Sequence, residues 1–300
     1  MTTVESTLRA DIVEVGRRMY DRRFTASNDG NISIRLGPDR LLMTPKGVCK
    51  GFMTPDMMCI TDLEGKKLQG DRDPSTEMLM HLEVYRQRPD VQAVVHAHPP
   101  IATGFAVAGI PLDRPVLAEV LTTLGSIPIA EYATPSTKEL PEAVRKYIKA
   151  HDGMLLANHG ALTVGSDVFA AYYKMETIEH FATISLAARL LGRENLIARD
   201  EVLRLQELRG TYGIKAPAPI CPDPESPEGR AAGPGGVVDE SGAATCQVVQ
   251  APDGGGLRLV PDSLDAASRA AIREGRGDVE IRLTYRQLSA LIEDAVRHLK

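Results

Sequence analysis

The chain has 300 residues, 43% of them hydrophobic, which suffices for one complete core with an appendage or for two smaller domains. The formal net charge of −5 argues against nucleic acid as a partner, because binding to phosphate backbones depends on clustered Lys and Arg. No apolar run predicts a membrane span, and the first residues lack the basic stretch and apolar core of a secretory signal. The four cysteines form no close metal-binding pair, so we expect a cytoplasmic protein with reduced thiols.

The first part of the chain alternates helices with short strands. Apolar spacing predicts an opening amphipathic helix, three strands and a second helix, at residues 4–24, 31–35, 41–43, 58–62 and 74–87. Glycine turns at Gly30-Asn31 and Lys46-Gly47 lie between these elements. Glycine lets the backbone come close to a ligand, and Asn31 or Lys46 could hydrogen-bond an anion there. The same residues also suit ordinary turns.

The second predicted helix carries a chemical signal in its first turn. Asp73 has the character of an N-cap and Pro74 that of a first helical residue, which places Ser75, Thr76 and Glu77 in that turn. Free backbone N–H groups beside two hydroxyls would form a cradle for a phosphate. Capping and the helix dipole alone also favour these residue types, so both interpretations stay open.

The most informative motif is His96-Ala97-His98, at the end of an apolar run. Residues two apart on a strand point to the same face, so this pair can offer two imidazoles to one cation, while Asn158-His159-Gly160 supplies a third from another segment. Three neutral ligands leave a divalent cation with its full charge and an open coordination position, as in catalytic metal sites. The remaining histidines are interpreted as hydrogen-bonded packing residues: His81, His151, His180 and His298.

The second half of the chain follows the same alternation. After a helix that follows His98, the pattern predicts further elements at residues 127–130, 138–150, 154–157, 161–164 and 167–191. Ser136 and Glu139 have the spacing of a capping box. Strands joined both directly and through helices predict a mixed sheet with helices packed on its faces.

The C-terminal part differs in composition. Dense proline followed by glycine from residue 215 removes backbone donors and interrupts regular structure, which divides the chain into a catalytic domain (1–214), a linker with short strands (215–262) and a tail (263–300). The tail ends in a predicted amphipathic helix at 284–300. Its apolar face carries Leu288, Leu291, Ile292, Ala295 and Leu299.

Five motifs occur in the order and rough spacing of one known family: Gly30-Asn31, Thr44-Pro45-Lys46-Gly47, Pro74-Ser75-Thr76-Glu77, His96-Ala97-His98 and Asn158-His159-Gly160. From about Ser6 to Lys215 the sequence resembles the class II aldolase/adducin family. It is most similar to the L-fuculose-phosphate aldolase branch and to enzymes that cleave 5-deoxyribulose 1-phosphate and 5-methylthioribulose 1-phosphate. The resemblance implies an α/β protein with a three-layer αβα fold, a mixed, largely antiparallel central sheet and a tethered C-terminal extension.

The resemblance also implies roles for individual residues. His96, His98 and His159 would bind Zn2+, and Glu77 would lie near the metal and act as the base once substrate displaces it, with a pKa raised toward neutrality by burial. Lys46 departs from the family, which has a hydroxyl residue there, and would contact phosphate as a point charge. The implied phosphate pocket consists of Gly30, Asn31, Lys46, Gly47, Ser75 and Thr76.

Two more residues match or replace tyrosines of the family. Tyr212 falls where the family carries a tyrosine that reaches a neighbouring subunit's site, and Glu119 stands in the place of another. The implied reaction is cleavage of a ketose 1-phosphate into dihydroxyacetone phosphate and an aldehyde by a homotetramer. Alternatives are a sugar-phosphate epimerase, decarboxylase or dehydratase on the same fold, and a non-catalytic adducin-like scaffold.

The predicted helix at 284–300 has two interpretations. It either packs on its own catalytic domain or within a small module built with residues 264–283. Otherwise it acts as one of the encapsulation peptides that it resembles, which carry enzymes into bacterial microcompartments, and binds a shell protein.

Overall fold

The computed structural model describes residues 3–215, 217–220, 237–238 and 244–246. Its helices, in chain order, are α1 (Thr3–Asp21), α2 (Met78–Gln87), α3 (Pro100–Ala108), α4 (Ala118–Thr123), α5 (Glu139–Ile148), α6 (Val168–Leu190) and α7 (Arg199–Thr211). Its strands are β1 (Asn31–Gly37), β2 (Arg40–Met43), β3 (Cys59–Thr61), β4 (Lys67–Gln69), β5 (Ala93–Ala97), β6 (Ile129–Ala130), β7 (Gly153–Leu156), β8 (Gly160–Gly165), β9 (Val237–Val238) and β10 (Ala244–Cys246).

Eight of the strands form one mixed sheet in the order β4-β3-β2-β1-β5-β8-β7-β6. Only the β6–β7 pair among them is parallel. Strand β5 lies at the centre, and its His96 is opposite Asn31 of β1 on one side and Leu162 of β8 on the other. The predicted mixed, largely antiparallel sheet is therefore confirmed.

Helices cover both faces of this sheet. Alternate residues of β5 point to opposite sides, as the two-residue period of a strand requires. Val95 belongs to a core that includes residues of α1, α3 and α6, whereas Val94 belongs to a second core formed with α2 and α5. The result is three layers, as predicted. Among the described residues no helix is long and apolar enough to cross a membrane.

A carboxylate of α6 holds the start of helix α3, which follows the histidine motif. Helix α3 starts at Pro100, directly after His98-Pro99, and the Glu179 carboxylate of α6 accepts hydrogen bonds from the N–H groups of Ile101 and Ala102 at 3.1 and 2.8 Å. A carboxylate at the first turn satisfies free donors and interacts favourably with the helix dipole. This contact ties the segment that follows the motif to the long helix α6.

The predicted helix start at Pro74 is wrong, because α2 begins at Met78. The segment before it pairs instead with the turn after β2: Pro74 forms an isolated bridge with Pro45, and the Ser75 N–H donates to the Thr44 carbonyl at 3.2 Å. Tertiary pairing thus overrides the local helix-start signal, and Ser75 lies before the helix instead of in its first turn.

The capping box predicted from Ser136 is also wrong. The N–H of Glu139 donates to the Thr137 hydroxyl, and the Glu139 carboxylate accepts from the N–H of Thr134. Ser136 itself adopts a left-handed backbone with φ of 63°. The sequence interpretation further missed β4, α4 and α7.

In the predicted linker, β9 and β10 pair as a short antiparallel ribbon. The division into 1–214, 215–262 and 263–300 stays a prediction, and the amphipathic helix at 284–300 lies outside the described residues.

Candidate active site

Three histidines converge at one end of β5 and β8. His96 is the buried fourth residue of β5, His98 follows that strand, and His159 lies in the turn between β7 and β8. Asn158 makes this turn possible with a φ of 55°, a left-handed conformation that asparagine tolerates better than most residues. The strand spacing and the turn together bring the three predicted ligands to one place.

Gly160 permits the close approach of β8 to His98. A Cβ atom at this position would lie 2.5 Å from the Ala97 carbonyl oxygen and 2.6 Å from Cδ2 of His98. Both distances are shorter than a nonbonded contact allows, so only glycine fits without moving the ring.

The three imidazoles fit a metal centre by their donor chemistry. Their ring centroids are 4.7 to 5.1 Å apart, and one ligand atom from each lies within 4.8 Å of the others. The Nδ1–H of His96 donates to the Ala161 carbonyl at 2.9 Å, so Nε2, which faces Nε2 of His98 at 3.1 Å, is the nitrogen available to a metal. A carbonyl on the outer nitrogen is the usual arrangement for a metal-binding histidine.

The protonation of His98 also suits a ligand. Burial, assisted by the neighbouring imidazoles of His96 and His159, lowers the pKa of His98 to about 3. A metal ligand must be the neutral imidazole, so His98 is ready to bind at neutral pH. Its outer nitrogen lies 3.4 Å from the Asp29 carboxylate.

Glu77 closes the histidine cluster from the N-terminal end of α2. Its Oε1 is 3.0 Å from Nε2 of His159, its Oε2 is 3.3 Å from Nε2 of His96, and Oε2 also accepts a hydrogen bond from the Asn31 amide at 2.7 Å. The carboxylate can thus contact a metal bound to the same nitrogens or exchange a proton with a ligand beside them.

The pKa predicted for Glu77 is wrong in direction. Burial does raise it, but the adjacent imidazoles of His96 and His159 outweigh burial, and the net pKa is well below the usual value. Burial likewise opposes charge on His96, yet the Glu77 carboxylate raises the pKa of that imidazole. The expectation considered burial alone, whereas the opposite charges determine the ionisation here.

A cavity of about 280 Å³ opens beside the cluster. It brings together the predicted phosphate residues Gly30, Asn31, Lys46, Gly47, Ser75 and Thr76 with Glu77, His98 and His159. We refer to its loop residues Gly30, Lys46, Gly47, Ser75 and Thr76 as the turn rim. The rim depends on left-handed glycine at Gly30 (φ 72°), where a Cβ would also lie 2.9 Å from the His96 carbonyl oxygen.

Other lining residues were missed by the sequence interpretation: Asn28, Asp29, Lys50, Pro135 and Ser136. Lys50 is the most unusual, because it is only 1% exposed and its ammonium donates to the carbonyls of Asn28 and Val48 at 3.0 and 2.6 Å. Burial lowers the pKa of Lys50 to about 8. A lysine after a turn gives no sequence signal of burial, so only the tertiary structure identifies it.

Comparison with known proteins shows the family to which this chain belongs. Residues 10–186 match the family described as class II aldolase and adducin N-terminal domain. The chain belongs to the class II aldolase/adducin family.

Members of this family with different named activities are similar to the chain. A 5-deoxy-D-ribulose 1-phosphate aldolase of Bacillus thuringiensis is 32% identical over 68% of this chain and 96% of its own length. A 3-oxo-tetronate 4-phosphate decarboxylase of Pectobacterium atrosepticum is 31% identical over 60% of this chain and 84% of its own. A solved structure of an L-fuculose 1-phosphate aldolase has a TM-score of 0.64 at 27% identity, over 69% of this chain and 96% of that one.

Two predicted residues of this class II aldolase domain lie outside the cavity. Tyr212 follows α7 and is 66% exposed, and Glu119 is exposed in the first turn of α4. Neither lines the cavity that His98 and Glu77 share. Tyr212's contribution to a neighbouring subunit's site stays a prediction, and so does the substrate-side role of Glu119.

Proposed function

We propose that the protein is a zinc-dependent aldehyde-lyase that cleaves a ketose 1-phosphate of the L-fuculose or 5-deoxyribulose type into dihydroxyacetone phosphate and an aldehyde. The observation that carries this proposal is a cavity lined by His98, His159, Glu77 and the turn rim, beside the cluster that these two histidines form with buried His96. A ketose 1-phosphate, whose carbonyl and adjacent hydroxyl oxygens lie close to its phosphate, matches this arrangement of polar groups.

His96, His98 and His159 would hold the zinc ion, which supplies electrostatic stabilisation of the negative charge that develops on the substrate when the carbon–carbon bond breaks. The outer hydrogen bond of His96 to Ala161 keeps its ring in the orientation that presents Nε2. Complete burial of His96 limits water on that side of the cluster and strengthens its charge interactions there.

The turn rim would bind the phosphate. Ser75 and Thr76 offer hydroxyl donors, Gly30 and Gly47 let the backbone approach, and Lys46 supplies a positive charge from the exposed side. Lys50 adds a buried cation beneath them, where the low polarity of the surroundings strengthens its attraction for a dianion.

Glu77 would carry the proton in the reaction. Cleavage moves the bonding pair of C3–C4 to the ketone fragment and frees the proton of the C4 hydroxyl, and the ketone fragment then needs a proton at carbon. Once a ligand oxygen displaces Glu77 from the imidazoles, its carboxylate remains bonded to Asn31 within the cavity. From there it can deliver that proton at the C3 atom.

The decisive experiment is a coupled assay for dihydroxyacetone phosphate from L-fuculose 1-phosphate and 5-deoxyribulose 1-phosphate, on zinc-loaded and chelator-stripped protein. We expect zinc-dependent release that Glu77→Gln abolishes although zinc stays bound. Glu83→Gln serves as the control, since Glu83 lies on the same helix but bonds Arg145 and Gln87 away from the cavity. Full turnover by Glu77→Gln would reject Glu77 as the base.

A decarboxylase on the same site is the second candidate, because a relative with that name is about as similar as the aldolase relatives. Release of carbon dioxide from a 3-oxo-tetronate 4-phosphate, without dihydroxyacetone phosphate from either ketose phosphate, would favour it.

We further propose a homotetramer in which Tyr212 reaches the neighbouring subunit's site, and binding of the segment 284–300 to a microcompartment shell protein. The exposure of Tyr212 supports the first, and the sequence pattern alone supports the second. Removal of 283–300 should leave catalysis intact and abolish co-purification with shells.

A further inference from the structure

A continuous line of hydrogen bonds leads from Glu77 into the core. The Asn31 amide donates to Glu77 at 2.7 Å, and its Oδ1 lies 2.5 Å from Nε2 of His81. Nδ1 of His81 is 2.7 Å from the Ser33 hydroxyl, which is 2.9 Å from the Tyr85 hydroxyl. We call Asn31, His81, Ser33 and Tyr85 the buried relay, since none of the four is more than 2% exposed.

The relay runs between one strand and one helix. Asn31 and Ser33 are two apart on β1 and share a face of the strand, whereas Glu77, His81 and Tyr85 are four apart and share a face at the start of and along α2. The two spacings place the polar side chains of β1 opposite those of Glu77 and α2, within hydrogen-bond distance. The sequence contained this pattern, but His81 was interpreted only as a packing residue.

The chemistry of the groups fixes one direction for every hydrogen bond. A carboxylate only accepts, so Asn31 presents its amide N–H to Glu77 and its oxygen to His81. His81 must therefore carry its proton on Nε2. Complete burial lowers the pKa of His81 to about 3, which keeps the ring neutral with Nδ1 as an acceptor.

The far end of the relay follows from this polarity. Ser33 donates its hydroxyl proton to Nδ1 of His81 and accepts from the hydroxyl of Tyr85. Burial raises the pKa of Tyr85, so the phenol keeps the proton that it donates. Each hydrogen bond of the relay thus has a single direction. Reversing one of them would leave a buried donor facing another donor.

We propose that the buried relay positions Glu77 for proton transfer by fixing the Asn31 amide with its N–H toward the carboxylate. This inference rests on the proposed function, in which Glu77 moves the proton. Imidazole nitrogens that bind a metal cannot donate a hydrogen bond to Glu77. The Asn31 amide, which donates to the Glu77 carboxylate in this structure, then still holds that carboxylate. A displacement of about 1 Å in such a group can cost on the order of 100-fold in rate.

The kinetic test compares His81→Phe with His81→Gln in the zinc-loaded full chain. Phenylalanine has no donor for Asn31, whereas glutamine retains an amide N–H, so we expect kcat to fall on the order of 30-fold or more in the first and to recover in part in the second. KM should change by less than about threefold, because His81 itself does not line the cavity. An unchanged kcat in a folded His81→Phe protein would overturn the proposal.

Two gentler variants keep the test valid if His81→Phe does not fold. Ser33→Ala and Tyr85→Phe each remove one hydroxyl of the relay, and we expect kcat losses of about three- to tenfold with KM retained. Tyr147→Phe is the matched control, since Tyr147 is a largely buried tyrosine on α5 that has no part in the relay. Equal effects of Tyr85→Phe and Tyr147→Phe would reject a positioning role.

Nitrogen NMR of the full chain labelled with ¹⁵N-histidine tests the relay without any assay of activity. We expect His81 as the neutral Nε2–H tautomer with and without zinc, and a mixture of tautomers in Glu77→Gln, whose amide no longer fixes the direction of Asn31. A Nδ1–H tautomer in the unaltered protein would overturn the proposal. Failure of the aldolase assay would leave this measurement standing, so the two proposals fail separately.

Discussion

The histidine cluster and the turn rim face the same cavity but are built differently. The histidines depend on strand spacing, a strand register and one tight turn: His96 lies in β5, His98 directly follows it, and His159 lies in the turn between β7 and β8. The rim depends on loops that pair with each other, such as the bridge between Pro45 and Pro74. A regular element determines where its side chains point, whereas a loop does so only through its partners. We therefore expect mutations to act on metal binding in the first region and on KM in the second.

The largest expected effect is at His96. His96→Ala removes a ligand that is fully buried, and we expect loss of stoichiometric zinc and a fall in kcat on the order of 1000-fold, as several kcal/mol of metal assistance disappears. Metal analysis and turnover on the same preparation check this. His151→Ala is the control, a fully buried histidine that bonds the Ser126 carbonyl and has no place in the cluster. Retained zinc in His96→Ala would contradict the ligand assignment.

Gly160→Ala should come next. The added methyl would meet the Ala97 carbonyl and the His98 ring at about half an ångström or more inside contact distance, so His98 must rotate or β8 must shift. We expect zinc affinity to fall on the order of 10- to 100-fold, as when the support of a metal ligand is altered. Competition with a chelator measures it. Gly104→Ala, where an added Cβ meets nothing within 4 Å, should leave affinity unchanged.

Prediction from the sequence succeeds for the regular elements that carry the histidine cluster and fails for the loops of the turn rim. The period of two in His96-Ala97-His98 correctly predicts two imidazoles on one face, and the alternation of strands and helices correctly predicts the mixed sheet. Local sequence predicts the loop structure poorly. Pro74 has the signature of a helix start, but it pairs with Pro45 and the helix begins only at Met78. Such pairing is between residues far apart in sequence, which local propensity does not contain.

Lys50 and His81 illustrate what the sequence leaves out of the site. In the sequence, Lys50 resembles an ordinary surface residue and His81 an ordinary packing residue. In the structure, each is buried and forms hydrogen bonds with particular neighbours, which determine its chemistry. The same holds for the pKa of Glu77, which the opposite charge of the imidazoles lowers although burial alone would raise it. Electrostatic environment depends on assembled distances, so it becomes predictable only with the fold.

Lys50→Met should act on KM at the turn rim. The charged form of Lys50 attracts a dianion, so we expect KM for a phosphorylated substrate to rise on the order of tenfold at pH 7 with kcat changed by less than about threefold. Lys67→Met is the control, because Lys67 is an exposed lysine that pairs with Asp73 outside the cavity. A rise in KM of the same size in both variants would reject a specific role for Lys50.

The pH dependence of inhibition by a phosphate monoester, such as glycerol phosphate, sharpens this prediction. The pKa of Lys50 is lowered from 10.5 to about 8, so the charge that favours an anion is present well below pH 8 and is lost as pH rises through that value. Such a monoester becomes a dianion only above about pH 6. We expect affinity to be highest between these limits, and the alkaline loss to disappear in Lys50→Met. The lowered pKa of Lys50 also makes the folded protein bind fewer protons than the unfolded chain between pH 8 and 10.5. The free energy of unfolding contributed by Lys50 therefore increases with pH in that range.

The smallest expected effect is at Lys46, the exposed cation of the turn rim. Its side chain is exposed, and its backbone N–H already donates to the Asp73 carbonyl, so substitution leaves the turn itself intact. Exposed charges interact weakly through water and are screened by salt, so Lys46→Thr should raise KM by about two- to fivefold at low ionic strength and by less at high salt. The buried charge of Lys50 should retain its effect on KM in the same salt series. Equal salt sensitivity of the two variants would contradict the distinction between a buried and an exposed cation, because screening reaches only the charge that water surrounds.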